Sequence, residues 1–257
     1  MKIFIFSDME GISGIFKESQ TVSTESLYSE GRKFMTREIN ACIQGCIDGG
    51  ADKIVVRDGH WTGSNVLWDE LDERAEYIMG TGGKQRIEGI EDFDGLILLG
   101  YHAMAGTFGS ILDHTFTTSW QNCWMNGKLV GEFAIDAAIA GDYGVPVIMT
   151  SGDDKLCKEA KSFIKDVLTV QVKEGICTEG GKLLPIKVAH QKIREGAAKA
   201  VKNCSKMKAF KVKNPVTFRV ERVERGQPPF RRTGVKFIDG RTFEVTGKTV
   251  EEAFNQL

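Results

Sequence analysis

Short, strongly apolar runs that alternate with longer amphipathic segments constrain the fold of this chain most. Four such runs, each five or six residues long, fall at residues 2–7, 53–57, 95–100 and 145–150. Runs without polar alternation are typical of strands buried on both faces, as in parallel sheets. Helical periodicity covers residues 25–48, after the first run, and 131–143, before the fourth. This order predicts an α/β domain with a largely parallel sheet flanked by helices.

The last third of the chain has a different pattern. Its spacing predicts a Gly-rich turn at Gly180-Gly181, an amphipathic helix over residues 186–203, and then three strands and a short final helix. The predicted strands cover residues 216–221, 235–238 and 242–245, and the final helix covers 249–256. We therefore expect two domains. These are an α/β domain over residues 1–178 and a smaller α+β domain over 179–257, which would serve oligomerisation or line a substrate cavity.

The charge is distributed unevenly along the chain. Residues 1–152 carry 11 basic and 22 acidic side chains, and residues 153–257 carry 23 basic and 13 acidic ones, although the net charge is only −1. The basic residues form no long block and are not interleaved with aromatic residues. This favours subunits that meet by opposite charge over a nucleic-acid site.

The composition also indicates where the protein acts. No apolar run approaches the roughly 18 residues that cross a bilayer, and the opening run is too short for the core of a signal peptide. None of the six cysteines forms a CxxC pair, so we expect reduced thiols rather than a disulfide framework or a thiolate metal site. These features predict a cytoplasmic protein without nucleic-acid or membrane partners.

Side chains that can bind metal ions follow three of the predicted strands. Asp8 and Glu10 follow the first, His60 follows the second and His102 follows the third. In an open α/β sheet the functional site lies beyond the carboxyl ends of the strands, so these side chains should meet. Glu132 begins the helix predicted after the hairpin at residues 126–127, and it could face the same crevice.

Two imidazoles and three carboxylates form a nitrogen and oxygen set that suits zinc, manganese or cobalt. Five ligands exceed what one catalytic zinc usually takes, and a bridging carboxylate could serve two ions. Taken singly, each residue has a simpler interpretation as a loop histidine, a turn cap or a first-turn glutamate. His114 could be a general base or an ordinary surface histidine. The sequence has neither a phosphate-binding P-loop nor a GxSxG elbow, which argues against nucleotide binding and serine hydrolase chemistry.

The segment from Ser7 to Gly14 (SDMEGISG) resembles the opening motif of the D-aminopeptidases of dipeptide operons, a family of dinuclear zinc peptidases. Further matching motifs follow in the family's order and approximate spacing. They are DGH at 58–60, LGYHA at 99–103, HT at 114–115, NG at 126–127, VGE at 130–132 and GDD at 152–154. Beyond Gly180 the resemblance is limited to general shape.

The resemblance implies a metal-dependent aminopeptidase that acts on short peptides with an N-terminal D-amino acid. It also implies two zinc ions per subunit, with Asp8 as the bridging ligand and His114 as the catalytic histidine, and a ring-shaped homodecamer. The ligands that it implies are Asp8, Glu10, His60, His102 and Glu132.

Other functions are left open at this point. The same metal site could act on another small amide or on an L-peptide, because stereopreference depends on pocket walls that the sequence does not place. A non-catalytic peptide-binding protein of a transport system is a second alternative, although a complete hydrolytic set argues against it. Whether His114 acts as general base, general acid or nucleophile is also open.

Overall fold

The computed structural model describes residues 1–83, 85–224 and 233–257. The strands are β1 (Lys2–Ser7), β2 (Lys53–Asp58), β3 (Glu76–Ile78), β4 (Gly95–Leu99), β5 (Trp120–Met125), β6 (Lys128–Leu129), β7 (Val147–Asp153), β8 (Leu168–Cys177), β9 (Gly180–Leu183), β10 (Val216–Arg222), β11 (Lys236–Phe237) and β12 (Thr242–Gly247). The α-helices are α1 (Tyr28–Asp48), α2 (Glu132–Asp142), α3 (Asp154–Phe163), α4 (Ile186–Asn203) and α5 (Val250–Phe254).

Within the described residues these strands form a large sheet and a small sheet. The large sheet has the order β3-β2-β1-β4-β7-β8-β9, and its neighbours are parallel except for the β8–β9 hairpin. The small sheet is antiparallel with the order β11-β12-β10-β5-β6. The predicted fold class, a largely parallel sheet flanked by helices, is confirmed.

Helices cover both faces of the large sheet, which explains the apolar runs. Helices α1 and α4 pack on one face, where Ile3 and Ile5 of β1 point. Helices α2 and α3 pack on the other face, where Phe4 and Phe6 point. Because successive side chains of a strand point to opposite faces, a strand between two helical layers must be apolar at every position.

Helix α2 lies between the two sheets. Phe133 and Ala137 pack against the large sheet, and Ile135 and Ile139 pack against the small sheet. The helix is therefore apolar around most of its circumference, as a fully buried helix must be. This burial holds Glu132, its first residue, against the edge of the large sheet.

The predicted turn at Gly180-Gly181 is wrong, because both residues belong to β9 and pair with the end of β8. A Cβ atom on Gly181 would lie 2.4 Å from the carbonyl oxygen of Glu174. Glycine is thus required there for close backbone approach, which the sequence does not distinguish from a turn. The other elements proposed for the last third match α4, β10, β11, β12 and α5 within a few residues.

The proposed boundary between residues 178 and 179 falls between β8 and β9, which are paired strands of one sheet. The small sheet takes β5 and β6 from before this boundary and β10, β11 and β12 from after it. The two sheets therefore do not divide the chain at this point. The separate roles that we assigned to residues 1–178 and 179–257 stay predictions.

The register of three neighbouring parallel strands positions the candidate site. Ser7 at the end of β1 pairs with Asp58 at the end of β2 and with Leu99 at the end of β4. The three strands therefore end at the same level. The loops that follow them leave the sheet at one edge, next to the first turn of α2.

The contact between α1 and α4 yields the first testable prediction. A Cβ atom on Gly45 of α1 would lie 2.3 Å from the carbonyl oxygen of Arg194 and 2.8 Å from Cβ of Ala197. An uncrowded helical glycine gains about 1 kcal/mol on replacement by alanine. We expect Gly45→Ala instead to lower the free energy of unfolding by about 1–3 kcal/mol, because α4 must move away.

Denaturant unfolding of the two proteins measures this difference. Gly240→Ala is a suitable control, because a Cβ atom there would meet nothing within 4 Å. A Gly45→Ala variant as stable as the parent protein would contradict the close helix contact.

Candidate metal centre

The loops after β1, β2 and β4 bring four of the predicted ligands together, and α2 supplies the fifth. All five side chains are buried. Together with the ring of His114, their carboxylate oxygens and ring nitrogens form two groups of three residues, and within each group the ligand atoms lie within 4.8 Å of one another. The first group, which we call the Glu10 triad, contains Asp8, Glu10 and His60. The second, the Glu132 triad, contains His102, His114 and Glu132.

A backbone carbonyl determines the tautomer of His60. Its Nε2 lies 3.0 Å from the carbonyl oxygen of Thr21. Since a carbonyl oxygen only accepts hydrogen bonds, Nε2 carries the hydrogen and donates it. In the neutral ring the lone pair of Nδ1 then faces two carboxylates, with Oδ1 of Asp8 at 3.1 Å and Oε2 of Glu10 at 3.2 Å.

The same device orients both histidines of the Glu132 triad. Nδ1 of His102 donates to the carbonyl oxygen of Ala103 at 3.0 Å, and Nδ1 of His114 donates to that of Leu112 at 2.9 Å. The two rings stack with their centroids 3.9 Å apart. Each Nε2 is therefore aimed at Oε1 of Glu132, at 3.2 Å from His102 and 3.6 Å from His114.

Asp8 lies between the two triads. Its Oδ1 faces His60, and its Oδ2 lies 3.3 Å from Nε2 of His102. Burial raises the pKa of Asp8, but the adjacent rings of His102 and His60 outweigh that effect and hold the pKa well below its usual range. The carboxylate therefore stays ionised, with one oxygen directed at each triad.

Lone pairs that face carboxylate oxygens in a buried site repel one another unless a cation lies between them. A second proton on each imidazole ring would supply the positive charge. Burial lowers the pKa values of His60 and His102, but the surrounding carboxylates outweigh it and hold both pKa values well above the usual range. A metal ion would serve equally, because neutral imidazole and carboxylate are the ligands that zinc prefers outside thiolate sites.

Two buried atoms favour the metal ion. Oε2 of Glu10 and Nε2 of His102 have no hydrogen-bond partner among the described residues. Nevertheless, Oε2 of Glu10 lies 3.2 Å from an imidazole nitrogen of His60, and Nε2 of His102 lies 3.3 Å from a carboxylate oxygen of Asp8. A hydrogen bond between two groups requires a favourable donor–hydrogen–acceptor angle. A metal ion instead requires several ligand atoms that point at one position. The five residues therefore fit a metal pair. Their roles as ligands stay predictions.

A cavity of about 670 Å³ opens beside this centre, and Glu10 and His114 line it. Three of its other lining residues are non-glycine residues in the left-handed region, namely Trp61 (φ +46°), Leu112 (φ +54°) and Phe116 (φ +59°). Such backbone strain costs about 1–3 kcal/mol per residue and clusters at functional sites.

Two of these strained residues orient the histidine and the carboxylate beside the cavity. The carbonyl group of Leu112 binds the ring of His114, and the N–H of Phe116 donates to Oε1 of Glu132 at 2.7 Å. The strained backbone thus orients His114, which lines the cavity, and Glu132, which lies behind it.

Charged groups behind the ligands could not be predicted from the sequence. Asp136, one helical turn after Glu132, is fully buried and pairs with Nε of Arg86 at 2.6 Å. Lys173 of β8 donates to the carbonyl group of Glu10. These partners are 50 and 163 residues apart in sequence. Only the spacing of Asp136 from Glu132 was a local signal.

Comparison with known proteins identifies the family. The sequence profile of the D-aminopeptidase family, peptidase family M55, matches residues 1–257, and the chain belongs to this family. It is 34% identical to a D-aminopeptidase of Bacillus subtilis (strain 168) over 262 residues, which cover 100% of this chain and 95% of that protein.

A solved structure is similar along almost the whole chain. It is described as a zinc-dependent D-aminopeptidase from Bacillus subtilis and a self-compartmentalizing protease. It matches with a TM-score of 0.93 and 31% identity over 99% of this chain and 94% of that one. The family resemblance and the prediction of an aminopeptidase are confirmed. None of the described helices is long and apolar enough to cross a membrane.

Glu159 of α3 lies behind the centre and yields a pH-dependent prediction. Its Oε2 accepts the N–H of Met104 at 2.8 Å, and its Oε1 is buried without a hydrogen-bond partner among the described residues. Burial raises the pKa of Glu159 to about 7. In the unfolded chain this carboxyl group ionises near pH 4.5. As the pH rises from 4.5 to 7, the unfolded chain releases the proton but the folded protein keeps it, so the free energy of unfolding decreases over this range.

We expect Glu159→Gln to become more stable relative to the parent protein as the pH rises from 5 to 8, by up to about 3 kcal/mol. Denaturant unfolding at several pH values in chelator-containing buffer measures this trend. The exposed replacement Glu195→Gln controls for the general effect of losing a carboxylate. A stability difference that does not change with pH would contradict the buried, protonated state of Glu159.

Proposed function

We propose that this protein is a zinc-dependent aminopeptidase that removes an N-terminal D-amino acid from short peptides. The observation that carries the proposal is the pair of triads joined by Asp8, which aim lone pairs and carboxylates at two common points beside a cavity. Membership of the D-aminopeptidase family supports it, as does the similarity to a zinc-dependent relative.

In this proposal two zinc ions bind between the converging donors. Glu10 and His60 would hold one ion, His102 and Glu132 would hold the other, and Asp8 would be shared between the two sites. When bound, such ions lower the pKa of a shared water molecule and polarise the carbonyl group of the scissile bond. The protein holds these ligands in a buried site, where competing water is limited.

His114 acts on protons in this scheme. Its Nδ1 is committed to the carbonyl group of Leu112, so only Nε2 is available for exchange. The side chain is 19% exposed and lines the cavity, whereas that of His102 is 1% exposed. We infer that His114 takes a proton from the attacking water and returns it to the leaving amine, as a general base and then a general acid.

The cavity suits a short peptide with a free amino group. Its volume of about 670 Å³ lies within the range of small-ligand sites, about 300–1,000 Å³. Three acidic residues line it, namely Glu10 of the centre, Glu18 and Asp113. Negative charge there favours the ammonium group of a peptide N-terminus, which supports an aminopeptidase over an endopeptidase.

We also propose a closed homo-oligomer, a ring-shaped decamer, acting in the cytoplasm. The relative described as self-compartmentalizing supports an oligomer. The excess of acidic residues before residue 153 and of basic residues after it supports contacts between unlike surfaces. A ring built in this way would enclose the cavities.

Metal content and stereopreference test the main proposal. We expect elemental analysis to find about two zinc ions per chain, and we expect D-Ala-D-Ala to be hydrolysed faster than L-Ala-L-Ala. Absence of bound metal would reject the metallopeptidase assignment. Equal turnover of both dipeptides would favour a less selective amidohydrolase, and peptide binding without turnover would favour a transport protein.

Replacement of His114 separates its role from that of a metal ligand. We expect His114→Gln to retain both zinc ions and to lower kcat by about 10²–10⁴-fold, because only proton transfer is lost. His102→Ala should instead lose bound zinc. His190→Gln, on α4 and outside both triads, is the matched control. Loss of one zinc ion from His114→Gln would make His114 a ligand and contradict the proposed role.

A further inference from the structure

Lys173 of β8 is a buried lysine beneath the segment that carries two of the proposed ligands. It is 2% exposed. Its Nζ donates to the carbonyl oxygens of Glu10, of Ile12 at 3.0 Å and of Ile15 at 2.7 Å. An ammonium group has three hydrogens to donate, so all of them bind this one segment.

The segment from residue 8 to residue 15, which we call the ligand segment, has little regular structure of its own. Residues 8–15 form no helix or strand. Four backbone N–H groups of the segment, those of Asp8, Gly11, Ile12 and Ile15, donate to backbone carbonyls. Helix α1 also contacts the ligand segment, because the buried carboxylate of Glu38 accepts a hydrogen bond from the N–H of Ser13 at 2.8 Å. Lys173 therefore adds three hydrogen bonds to the four that the backbone of the segment donates.

A hydrophobic residue would fill this position without the cost of burying an ammonium group. Burial lowers the pKa of Lys173 to about 8, and nearby carboxylates, chiefly those of Asp153 and Glu38, offset only part of that cost. A buried charge whose hydrogen bonds all reach one irregular segment is suited to fix the conformation of that segment.

The positive charge of Lys173 and its hydrogen bonds have opposite effects on metal affinity. A cation close to Asp8 and Glu10 repels a metal ion that these carboxylates bind, so removing the charge would strengthen metal binding. Loss of the hydrogen bonds would weaken binding, because Glu10 could then leave its position. The sign of the change in metal affinity therefore distinguishes a positioning role from a purely electrostatic one.

We propose that Lys173 is a positioning residue that holds Glu10 in place for metal binding. This inference rests on the proposed function, because it assumes that the Glu10 triad holds one of two zinc ions. The inference predicts that Lys173 affects metal binding at the Glu10 triad. The Glu132 triad receives no hydrogen bond from Lys173.

Zinc affinity of Lys173→Met tests the proposal. Competition with a chromophoric zinc chelator, at a temperature where the variant is folded, should show one of the two ions bound about 10–100-fold more weakly. The other ion should keep its affinity. Unchanged or tighter binding of both ions would overturn the proposal.

A matched control is Lys161→Met. Lys161 also donates to two backbone carbonyls, those of Lys165 and Val167, but these lie in the connection between α3 and β8. We expect this variant to bind both ions as the parent protein does. If Lys173→Met does not fold, Lys173→Gln can be used instead, because glutamine retains two amide donors. We expect Lys173→Gln to weaken the binding of the same ion by a smaller factor.

Hydrogen exchange in the metal-free protein gives a readout that does not depend on zinc. The amides of Gly11, Ile12 and Ile15 should exchange faster in Lys173→Met than in the parent protein and in Lys161→Met. If the parent protein binds no zinc, the proposed function fails, and the exchange rates still decide whether Lys173 holds the ligand segment. Equal exchange rates would show that it does not.

Discussion

The central constraint in this structure is the convergence of imidazole lone pairs and carboxylate oxygens inside a buried site. Three backbone carbonyls, those of Thr21, Ala103 and Leu112, each accept the hydrogen of one ring nitrogen and so direct the other nitrogen toward carboxylates. Such an arrangement is stable only when a cation neutralises it. The surrounding structure must hold these groups together until that cation binds, and much of the fold serves this purpose.

Several parts of the fold meet this demand by different means. The level ends of β1, β2 and β4 bring the loops to one edge of the sheet. The N-terminus of α2 lies beneath Glu132, where the helix dipole favours a carboxylate. Strained backbone at Leu112 and Phe116 orients His114 and Glu132, and Lys173 contacts the segment that carries Glu10. Each device restrains a group whose neighbours repel it.

Sequence reasoning succeeded where the signal is local and failed where it depends on distant partners. The apolar runs predicted the parallel strands, because a strand covered on both faces has no polar positions. The strand ends predicted which histidines and carboxylates meet. The turn at Gly180-Gly181 was predicted wrongly, because close approach to β8 also requires glycine. The pairing of Arg86 with Asp136 spans 50 residues and left no local signal.

The sequence by itself determined the α/β class and the four candidate ligands at strand ends, because strand burial and strand-end chemistry follow from residue type and order. The start of a predicted helix added Glu132, and the family resemblance singled out His114. Only the tertiary structure decided which nitrogen of each histidine faces the centre, how Asp8 lies between the two triads, and that Lys173 lies beneath Glu10. The reason is physical. Tautomers, shared carboxylates and buried charges depend on contacts between backbone and side-chain atoms that are brought together only when the sheet and its helices have packed.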